Sequence, residues 1–276
     1  MVLEASERKR LQDMARRNRE RIVEITEKCG GGHVGGALSQ TDILVALYYK
    51  YMKIDPKNPN WPERDRFVLS KGHGGIGYAA LLGDLGYFNR EDLKDFNKMH
   101  SPFGMHLDCL KVRGVDASTG SLGHGLGIAV GMAIGARLQG MKWHTYCLVG
   151  DGECNEGSIW EAAMSASHYK LSNLITIVDR NGFMMDGPTE QVMALEPFAD
   201  KWRAFGFKVL EINGHDFDQI SDAIEQSLAE KETPVVIIAK TVKGKGVDFM
   251  ENKASWHYAV LDSEMATKAL ESIRKG

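Results

Sequence analysis

The chain of 276 residues is 43% hydrophobic and 26% charged, which is typical of a globular protein with one large domain or two small ones. Its formal net charge of -3 gives no electrostatic reason to expect nucleic acid or an anionic membrane as a partner. No apolar segment follows the basic N-terminal residues, and no run approaches about 18 apolar residues, so the sequence predicts neither a signal peptide nor a membrane span.

Helical and strand-like stretches alternate along the chain. Helical character extends over residues 5–29, a Gly-rich break follows at 29–39, and a second helix is predicted at 40–52, before a loop at 53–65. Short aliphatic runs resemble buried strands at 66–70, 145–150, 174–179, 208–212 and 234–240. Further helical stretches lie at 74–86, 125–140, 158–170, 218–230 and 262–275.

Aliphatic strands separated by helices indicate an α/β fold, in which helices cover both faces of a parallel sheet. We interpret residues 1–262 as one α/β domain and residues 263–276 as a C-terminal helical tail.

The cysteines form no CxxC pair, which argues against a zinc site and suits a reducing compartment. We therefore expect a cytoplasmic protein. The cysteines are Cys29, Cys109, Cys147 and Cys154.

An acidic turn, "CLVGDGECNEG" at residues 147–157, follows the second predicted strand. Gly-rich turns at this place usually cradle phosphate, which carboxylates repel. Asp151 and Asn181 follow two strands that would be parallel and about 4.8 Å apart, so their side chains can converge. Their hard oxygen atoms suit Mg²⁺ or Ca²⁺, and a metal would bridge Asp151 to phosphate. The alternative is a tight turn in which Asp151 only caps a helix.

The stretches "GDGECNEG" and "VDRNGFMMDG" resemble the thiamine diphosphate fingerprint, which opens with Gly-Asp-Gly and closes in Asn. Five further stretches resemble transketolase more closely than other thiamine enzymes, in the same order along the chain: "GGHVGGALS", "RFVLSKGHG", "DASTGSLGHGL", "EGSIWEA" and "KGKGVDFMENKASWH". The resemblance covers nearly the whole chain. It implies that residues 1–262 form the α/β domain that binds thiamine diphosphate and Mg²⁺ in that family.

By this resemblance, the side chains of Asp151 and Asn181 and the backbone carbonyl of Phe183 bind Mg²⁺, with Ca²⁺ as the alternative ion. Two positions depart from the family pattern, because Ser121 stands where Pro is usual and Arg180 where Asn or Asp is usual. We expect Arg180 to point away from the metal. The residues implied to bind thiamine diphosphate are His73, Gly120, Ser121, Leu122, Gly150, Asp151, Gly152, Glu153, Asn181 and His257.

The resemblance also implies catalytic residues. His33, His106 and His257 match histidines that line the substrate channel, where imidazoles can handle hydroxyl protons and a developing oxyanion near neutral pH. Glu161 matches a glutamate that reaches across the dimer interface and couples two active sites. Considered singly, each histidine has the alternative of an ordinary surface or core residue, and Glu161 that of an ordinary helix-face residue.

The family's second domain carries the glutamate that protonates the pyrimidine ring of the cofactor, and this chain ends at Gly276 without a counterpart. The resemblance therefore implies the diphosphate-binding subunit of a split transketolase, which moves a two-carbon ketol unit from a ketose or ketose phosphate to an aldose or aldose phosphate, as in the pentose phosphate pathway. The substrate can also be an unusual sugar that is sulfonated or lacks phosphate. We expect its partner to be a separate C-terminal subunit in an α2β2 heterotetramer, with a truncated transketolase as the alternative. Two other functions stay open: a subunit of a thiamine-dependent 2-oxo acid synthase or dehydrogenase, and a non-catalytic scaffold that keeps the cofactor pocket.

Overall fold

A parallel sheet forms the centre of the computed structural model, which describes residues 2–275. Its strands lie side by side in the order β1-β2-β3-β5-β4, and every neighbouring pair is parallel, so all carboxyl ends lie at one edge. Each predicted strand is confirmed, with small differences at the ends. The strands are β1 (Arg66–Leu69), β2 (Thr145–Gly150), β3 (Leu174–Arg180), β4 (Lys208–Asn213) and β5 (Val235–Lys240).

Helices cover both faces of this sheet, which confirms the predicted fold class. They are α1 (Ala5–Cys29), α2 (Val34–Ser39), α3 (Thr41–Ala46), α4 (Gly75–Leu85), α5 (His124–Leu138), α6 (Gly157–His168), α7 (Thr189–Val192), α8 (Phe198–Ala204), α9 (Phe217–Ala229) and α10 (Ser263–Lys275). One face packs against α1 to α4, α9 and α10, and the other packs against α5, α6 and α8. Within residues 2–275, no helix is long and apolar enough to cross a membrane.

The strands read as continuous apolar runs because both of their faces are buried. Successive strand residues point to opposite faces of a sheet. In β2, Tyr146 and Leu148 belong to the core beneath α1 to α4, whereas Cys147 and Val149 belong to the core beneath α5 and α6. A strand of this kind shows no polar alternation, which is the pattern of a sheet covered on both faces.

The prediction of a Gly-rich break at 29–39 is wrong for the second half of that stretch, because Val34–Ser39 forms the helix α2. Glycine costs about 1 kcal/mol relative to alanine in a helix, so composition argued against one. Every residue of α2 is nevertheless buried. Gly35 permits this packing, since a Cβ atom there would lie 2.7 Å from the carbonyl oxygen of Trp256. Tertiary packing thus overrides local propensity and fixes His33, which directly precedes the helix.

The other helices differ from prediction mainly at their ends. The stretch predicted as one helix at 40–52 is α3 followed by a π-helical turn, Leu47–Tyr51. The short helices α7 and α8 were not predicted, because so few residues show little periodicity. The predicted C-terminal helix is confirmed as α10, which packs against α1 and buries Ala266, Ala269 and Ile273 in the same core.

A buried ion pair joins α1 to α3. The Arg19 guanidinium donates to both carboxylate oxygens of Asp42, at 3.0 and 2.6 Å. His215 donates from Nδ1 to the same carboxylate at 2.6 Å, and its Nε2 accepts from the backbone N–H of Val242 at 2.8 Å. Burial alone would raise the pKa of Asp42, but the charge of Arg19 and the hydrogen bond from His215 lower it below its usual value.

We expect Asp42 to make stability fall at acid pH. Its carboxyl has a lower pKa in the folded chain than in the unfolded chain, where an Asp titrates at about 3.9. The stabilisation is therefore complete above the unfolded pKa and is lost as pH falls through the folded pKa. Urea denaturation between about pH 6 and pH 2 should show a shallower pH dependence of the unfolding free energy in Asp42→Asn. Equal slopes in the two proteins would contradict this assignment.

Candidate active site

A cavity of about 360 Å³ opens at the carboxyl edge of the sheet, where ligands of open α/β folds bind. The loops after the strands and the turn before α2 form its walls. All the predicted site residues except Ser121 and Glu161 line it. The lining members of the predicted set are His33, His73, His106, Gly120, Leu122, Gly150, Asp151, Gly152, Glu153, Asn181, Phe183 and His257.

Asp151 and Asn181 lie at adjacent strand ends, as their spacing predicted. Asp151 directly follows β2, and its carboxylate accepts the backbone N–H of Gly152 at 2.8 Å and that of Gly182, after β3, at 2.6 Å. Asn181 follows β3, and its Oδ1 accepts the backbone N–H of Phe183 at 3.1 Å. One carboxylate and one amide oxygen thus lie on the cavity wall at the ends of two neighbouring strands.

Arg180 contacts the Asp151 carboxylate but is not one of the residues that line the cavity, and its orientation away from a metal stays a prediction. Its Nη1 atom lies 3.3 Å from Asp151 Oδ2 and donates to Thr189 Oγ1 at 2.7 Å. Its Nη2 atom donates to Glu190 at 2.8 Å and to Glu196 at 3.1 Å. The reason for these contacts is electrostatic, because several oxygen acceptors surround the end of β3 and a planar guanidinium with five donors can bind them together.

A buried ion pair behind the cavity wall was not singled out from the sequence. The Lys71 ammonium donates to Asp179 Oδ2, which also accepts from the Ser39 hydroxyl at 2.6 Å, and Thr241 donates to Oδ1. Burial alone would raise the pKa of Asp179, but the charge of Lys71 and these hydrogen bonds lower it. The available signal was an acid near the end of an otherwise apolar strand, which is unusual without a partner.

The negative charge of Asp179 also acts on Asp151. Burial raises the pKa of the Asp151 carboxyl, and repulsion from Asp179 raises it further. The N–H groups of Gly182 and Gly152 and the guanidinium of Arg180 oppose this shift without cancelling it. An additional positive charge in the cavity would therefore stabilise the ionised form of Asp151.

Glu153 lines the cavity, but its carboxylate is engaged within the protein. Oε1 accepts from the Ser70 hydroxyl and from the Gly123 N–H at 2.8 Å, and Oε2 accepts from the Gly150 N–H at 2.9 Å. Burial raises its pKa even though these hydrogen bonds oppose the shift. The side chain thus ties the end of β1 to the acidic turn and to the start of α5, which shapes the cavity.

Three imidazoles cluster on another part of the wall. The ring centroids of His33, His73 and His257 lie 5.2 to 5.3 Å from each other. Burial, reinforced by neighbouring groups that include Lys71 and Lys243, lowers their pKa values to about 4, 2 and 3 respectively. All three rings are therefore neutral near neutral pH, and each offers one hydrogen-bond donor and one acceptor instead of a charge.

Lys243 is a cavity residue that the sequence interpretation missed. It is nearly inaccessible to solvent, and its Nζ atom lies 2.9 Å from His257 Nδ1 and 3.4 Å from the Met184 carbonyl oxygen. Burial, and then repulsion from Lys71, lowers its pKa to about 8, so it remains mostly cationic at neutral pH. A lysine close to glycines in a polar segment is typical of a solvent-exposed residue, so the sequence does not predict the burial that the fold shows for Lys243.

Ser121 and Glu161 lie outside the cavity. Ser121 is exposed, although its neighbours Gly120 and Leu122 line the wall. Glu161 lies on the exposed face of α6. His106 is more exposed than the other lining histidines and packs near Gly120, where a Cβ atom would lie 3.3 Å from its ring.

A family model described as the thiamine diphosphate binding domain of transketolase matches residues 11–273. The chain belongs to the transketolase family. The 6-deoxy-6-sulfo-D-fructose transketolase subunit of Clostridium sp. (strain MSTE9) is 45% identical over 96% of each chain. An apulose-4-phosphate transketolase subunit of Phocaeicola vulgatus is 41% identical over 95% of this chain and 93% of its own length. Human transketolase is 36% identical over 95% of this chain but 42% of its own length.

Solved transketolases share the fold as well as the sequence. Transketolase from Campylobacter jejuni has a TM-score of 0.90 and 35% identity, over 99% of this chain and 43% of that chain. The chain therefore matches the N-terminal part of full-length transketolases and carries their thiamine diphosphate-binding domain. It is a transketolase-type enzyme subunit, and this membership favours the transketolase interpretation over a 2-oxo acid synthase or dehydrogenase.

Proposed function

We propose that this chain is the diphosphate- and Mg²⁺-binding subunit of a split transketolase, which moves a two-carbon ketol unit from a ketose to an aldose. The observation that carries the proposal is the convergence of Asp151 and Asn181 with the neutral histidine cluster on one cavity. The first pair supplies oxygen ligands for a metal, and the second supplies hydrogen-bonding groups for sugar hydroxyls.

The residues at the strand ends fit a hard divalent cation. Asp151, Asn181 and the backbone carbonyl of Phe183 would hold it with oxygen atoms only, which suits Mg²⁺ and also Ca²⁺. Within residues 2–275, no donor hydrogen-bonds to the Phe183 carbonyl oxygen. The raised pKa of Asp151 shows that its ionised carboxylate is disfavoured where it lies, and a bound cation would stabilise that ionised form. This donor set supports the metal assignment.

The remaining walls fit thiamine diphosphate. The Lys243 ammonium is a cation available to a diphosphate, and His73 lies in the same wall. Gly152 keeps the chain close to the cavity, because a Cβ atom there would lie 3.0 Å from Met184 Cγ. We propose the same role for Gly120, Leu122 and the other predicted cofactor residues that line the cavity. The bound cofactor would supply the carbanion chemistry of ketol transfer.

The protein's own contribution is to orient the sugar and to handle its protons. His33, His106 and His257 are proposed to bind the hydroxyl and carbonyl oxygens of the sugar. Because His33 and His257 are neutral, each ring can accept a proton or donate a hydrogen bond without first losing a proton to solvent. His73 and Lys243 line the same cavity, and burial lowers the pKa values of both groups.

A separate partner is part of the proposal. The relatives named as subunits match over almost their whole length, whereas this chain corresponds to 42% of human transketolase. We propose that a second chain supplies the pyrimidine-binding domain in an α2β2 assembly, with Glu161 on the exposed face of α6 at a subunit interface. We also propose that the protein is cytoplasmic and acts in the pentose phosphate pathway. The boundary at residue 262 between the α/β domain and the C-terminal helical tail is part of the same proposal.

We expect the purified chain alone to show no ketol transfer, because the glutamate that the family uses to activate the cofactor lies in the other domain. Addition of a chain that carries the pyrimidine domain should restore transfer. Product formation is measured with ribose 5-phosphate as acceptor and a donor panel of xylulose 5-phosphate, fructose 6-phosphate, 6-deoxy-6-sulfofructose and apulose 4-phosphate. Turnover by the chain alone would contradict the split arrangement, and cofactor binding without turnover in any pairing would favour the non-catalytic scaffold.

A further inference from the structure

Tyr258 lies beside the imidazole cluster but outside the set of predicted site residues. Its ring meets His33 edge-on, with ring centroids 5.1 Å apart and an interplanar angle of 80°. The side chain is 43% exposed, whereas His33 is more enclosed. The residue next to His257 in sequence therefore packs against His33 from the solvent side.

No hydrogen bond within residues 2–275 holds the imidazole of His33. Its Nδ1 atom is buried and has no partner there. The ring is instead enclosed by three others, those of His73, His257 and Tyr258, at centroid distances of 5.2, 5.3 and 5.1 Å. Rotation about the second side-chain torsion of a histidine is soft, so packing decides the orientation of this ring.

The backbone fixes Tyr258 in this position. Gly32 and Ala259 exchange two hydrogen bonds of 2.9 Å each in an antiparallel bridge, which sets Tyr258 opposite the turn before α2. Gly31 in this turn has φ +133°, and a Cβ atom there would lie 2.7 Å from Tyr258 Oη. Glycine adopts this backbone conformation without strain, and the absence of a Cβ atom leaves room for the phenol of Tyr258.

We infer that Tyr258 is a positioning residue, which holds the His33 imidazole and its unpartnered Nδ1 atom in the orientation that the donor sugar meets. The inference rests on the proposed function, in which His33 hydrogen-bonds to a sugar hydroxyl. Tyr258 acts through its ring, because its hydroxyl forms no hydrogen bond with any residue from 2 to 275.

The kinetic test uses the complex with the partner chain and the donor that it turns over. Tyr258→Ala should lower kcat/KM for the donor by about 2- to 12-fold, which is the loss expected for one aromatic pair, and should leave the acceptor KM unchanged. Tyr258→Phe keeps the ring and should retain wild-type kcat/KM. Tyr169→Ala is the matched control, because Tyr169 is exposed and meets His168 edge-on at 4.9 Å and 80°, outside the cavity.

A second readout needs neither partner nor turnover. The His33 resonance of the isolated chain, assigned with His33→Gln, is titrated by NMR. Burial, with His106 and Lys243, holds the pKa of His33 at about 4 in the wild type. Tyr258→Ala should raise this pKa toward about 6.5 by admitting water, whereas Tyr258→Phe should leave it in place.

The outcomes separate this inference from the proposed function. An unchanged donor kcat/KM in Tyr258→Ala overturns the inference, and so does a Tyr258→Phe enzyme as impaired as Tyr258→Ala. If no pairing transfers a ketol unit, the proposed function fails. In that case the titration still decides whether Tyr258 positions His33, and an unchanged pKa in Tyr258→Ala overturns that role too.

Discussion

Asp151→Ala is expected to abolish the magnesium-dependent binding of thiamine diphosphate. Asp151 is the one charged side chain in the proposed metal set, which otherwise consists of the Asn181 amide and the Phe183 carbonyl. Mutation of groups that only support a metal ligand costs about 10- to 100-fold in affinity, so loss of a ligand should exceed about 100-fold. Isothermal titration calorimetry with thiamine diphosphate and Mg²⁺, with and without the partner chain, measures the change.

Asp186→Ala is the matched control for this experiment. Asp186 also lines the cavity and carries the same charge, but it is exposed and lies outside the proposed metal set. Its variant should bind the cofactor nearly as the wild type does, and excess EDTA should remove the magnesium-dependent part of binding from both. An unchanged affinity for thiamine diphosphate and Mg²⁺ in Asp151→Ala would show that the metal binds elsewhere. An equal loss in the two variants would point to the overall charge of the cavity.

Asp179→Ala is expected to lower the free energy of unfolding by about 3–5 kcal/mol, the usual cost of removing one partner from a buried ion pair. The variant leaves the Lys71 ammonium buried with the Gly36 carbonyl oxygen, at 2.9 Å, as its remaining acceptor. It also removes the acceptor for the Ser39 and Thr241 hydroxyls. Urea denaturation followed by circular dichroism measures the loss.

Asp200→Ala is the control for this second prediction. Asp200 pairs with Arg203 at 2.7 Å on the surface, where both side chains are at least half exposed. Its removal should change stability by no more than about 0.5 kcal/mol. A variant that also replaces Lys71 by Met should recover part of the loss caused by Asp179→Ala, since it removes the stranded charge. A loss for Asp179→Ala no larger than that for Asp200→Ala would contradict the prediction.

The sheet could be predicted from the sequence because its signal is local. Both faces of each inner strand are buried, so a segment such as Tyr146–Val149 is apolar at every position. The long helix α1 shows a periodic apolar stripe because only one of its faces is buried. The helix α2 shows neither signal, since its stability comes from burial against distant segments and its glycines favour a break.

The placement of Asp151 and Asn181 at neighbouring strand ends could also be predicted, because β2 and β3 are adjacent parallel strands. Arg180 and Lys243 could not be assigned in this way. Each carries a long side chain whose direction depends on acceptors from remote segments, such as Glu196 for Arg180 and His257 for Lys243. Sequence spacing contains no information about those partners.

The Lys71–Asp179 pair has a thermodynamic consequence for ligand binding. It joins the end of β1 to β3, and through Ser39 and Thr241 it also includes α2 and the segment after β5. These contacts form within the chain itself, so we expect the wall around the proposed diphosphate position to be ordered before a ligand arrives. Little conformational entropy then remains to be lost on association, and the affinity for the cofactor reflects its direct interactions.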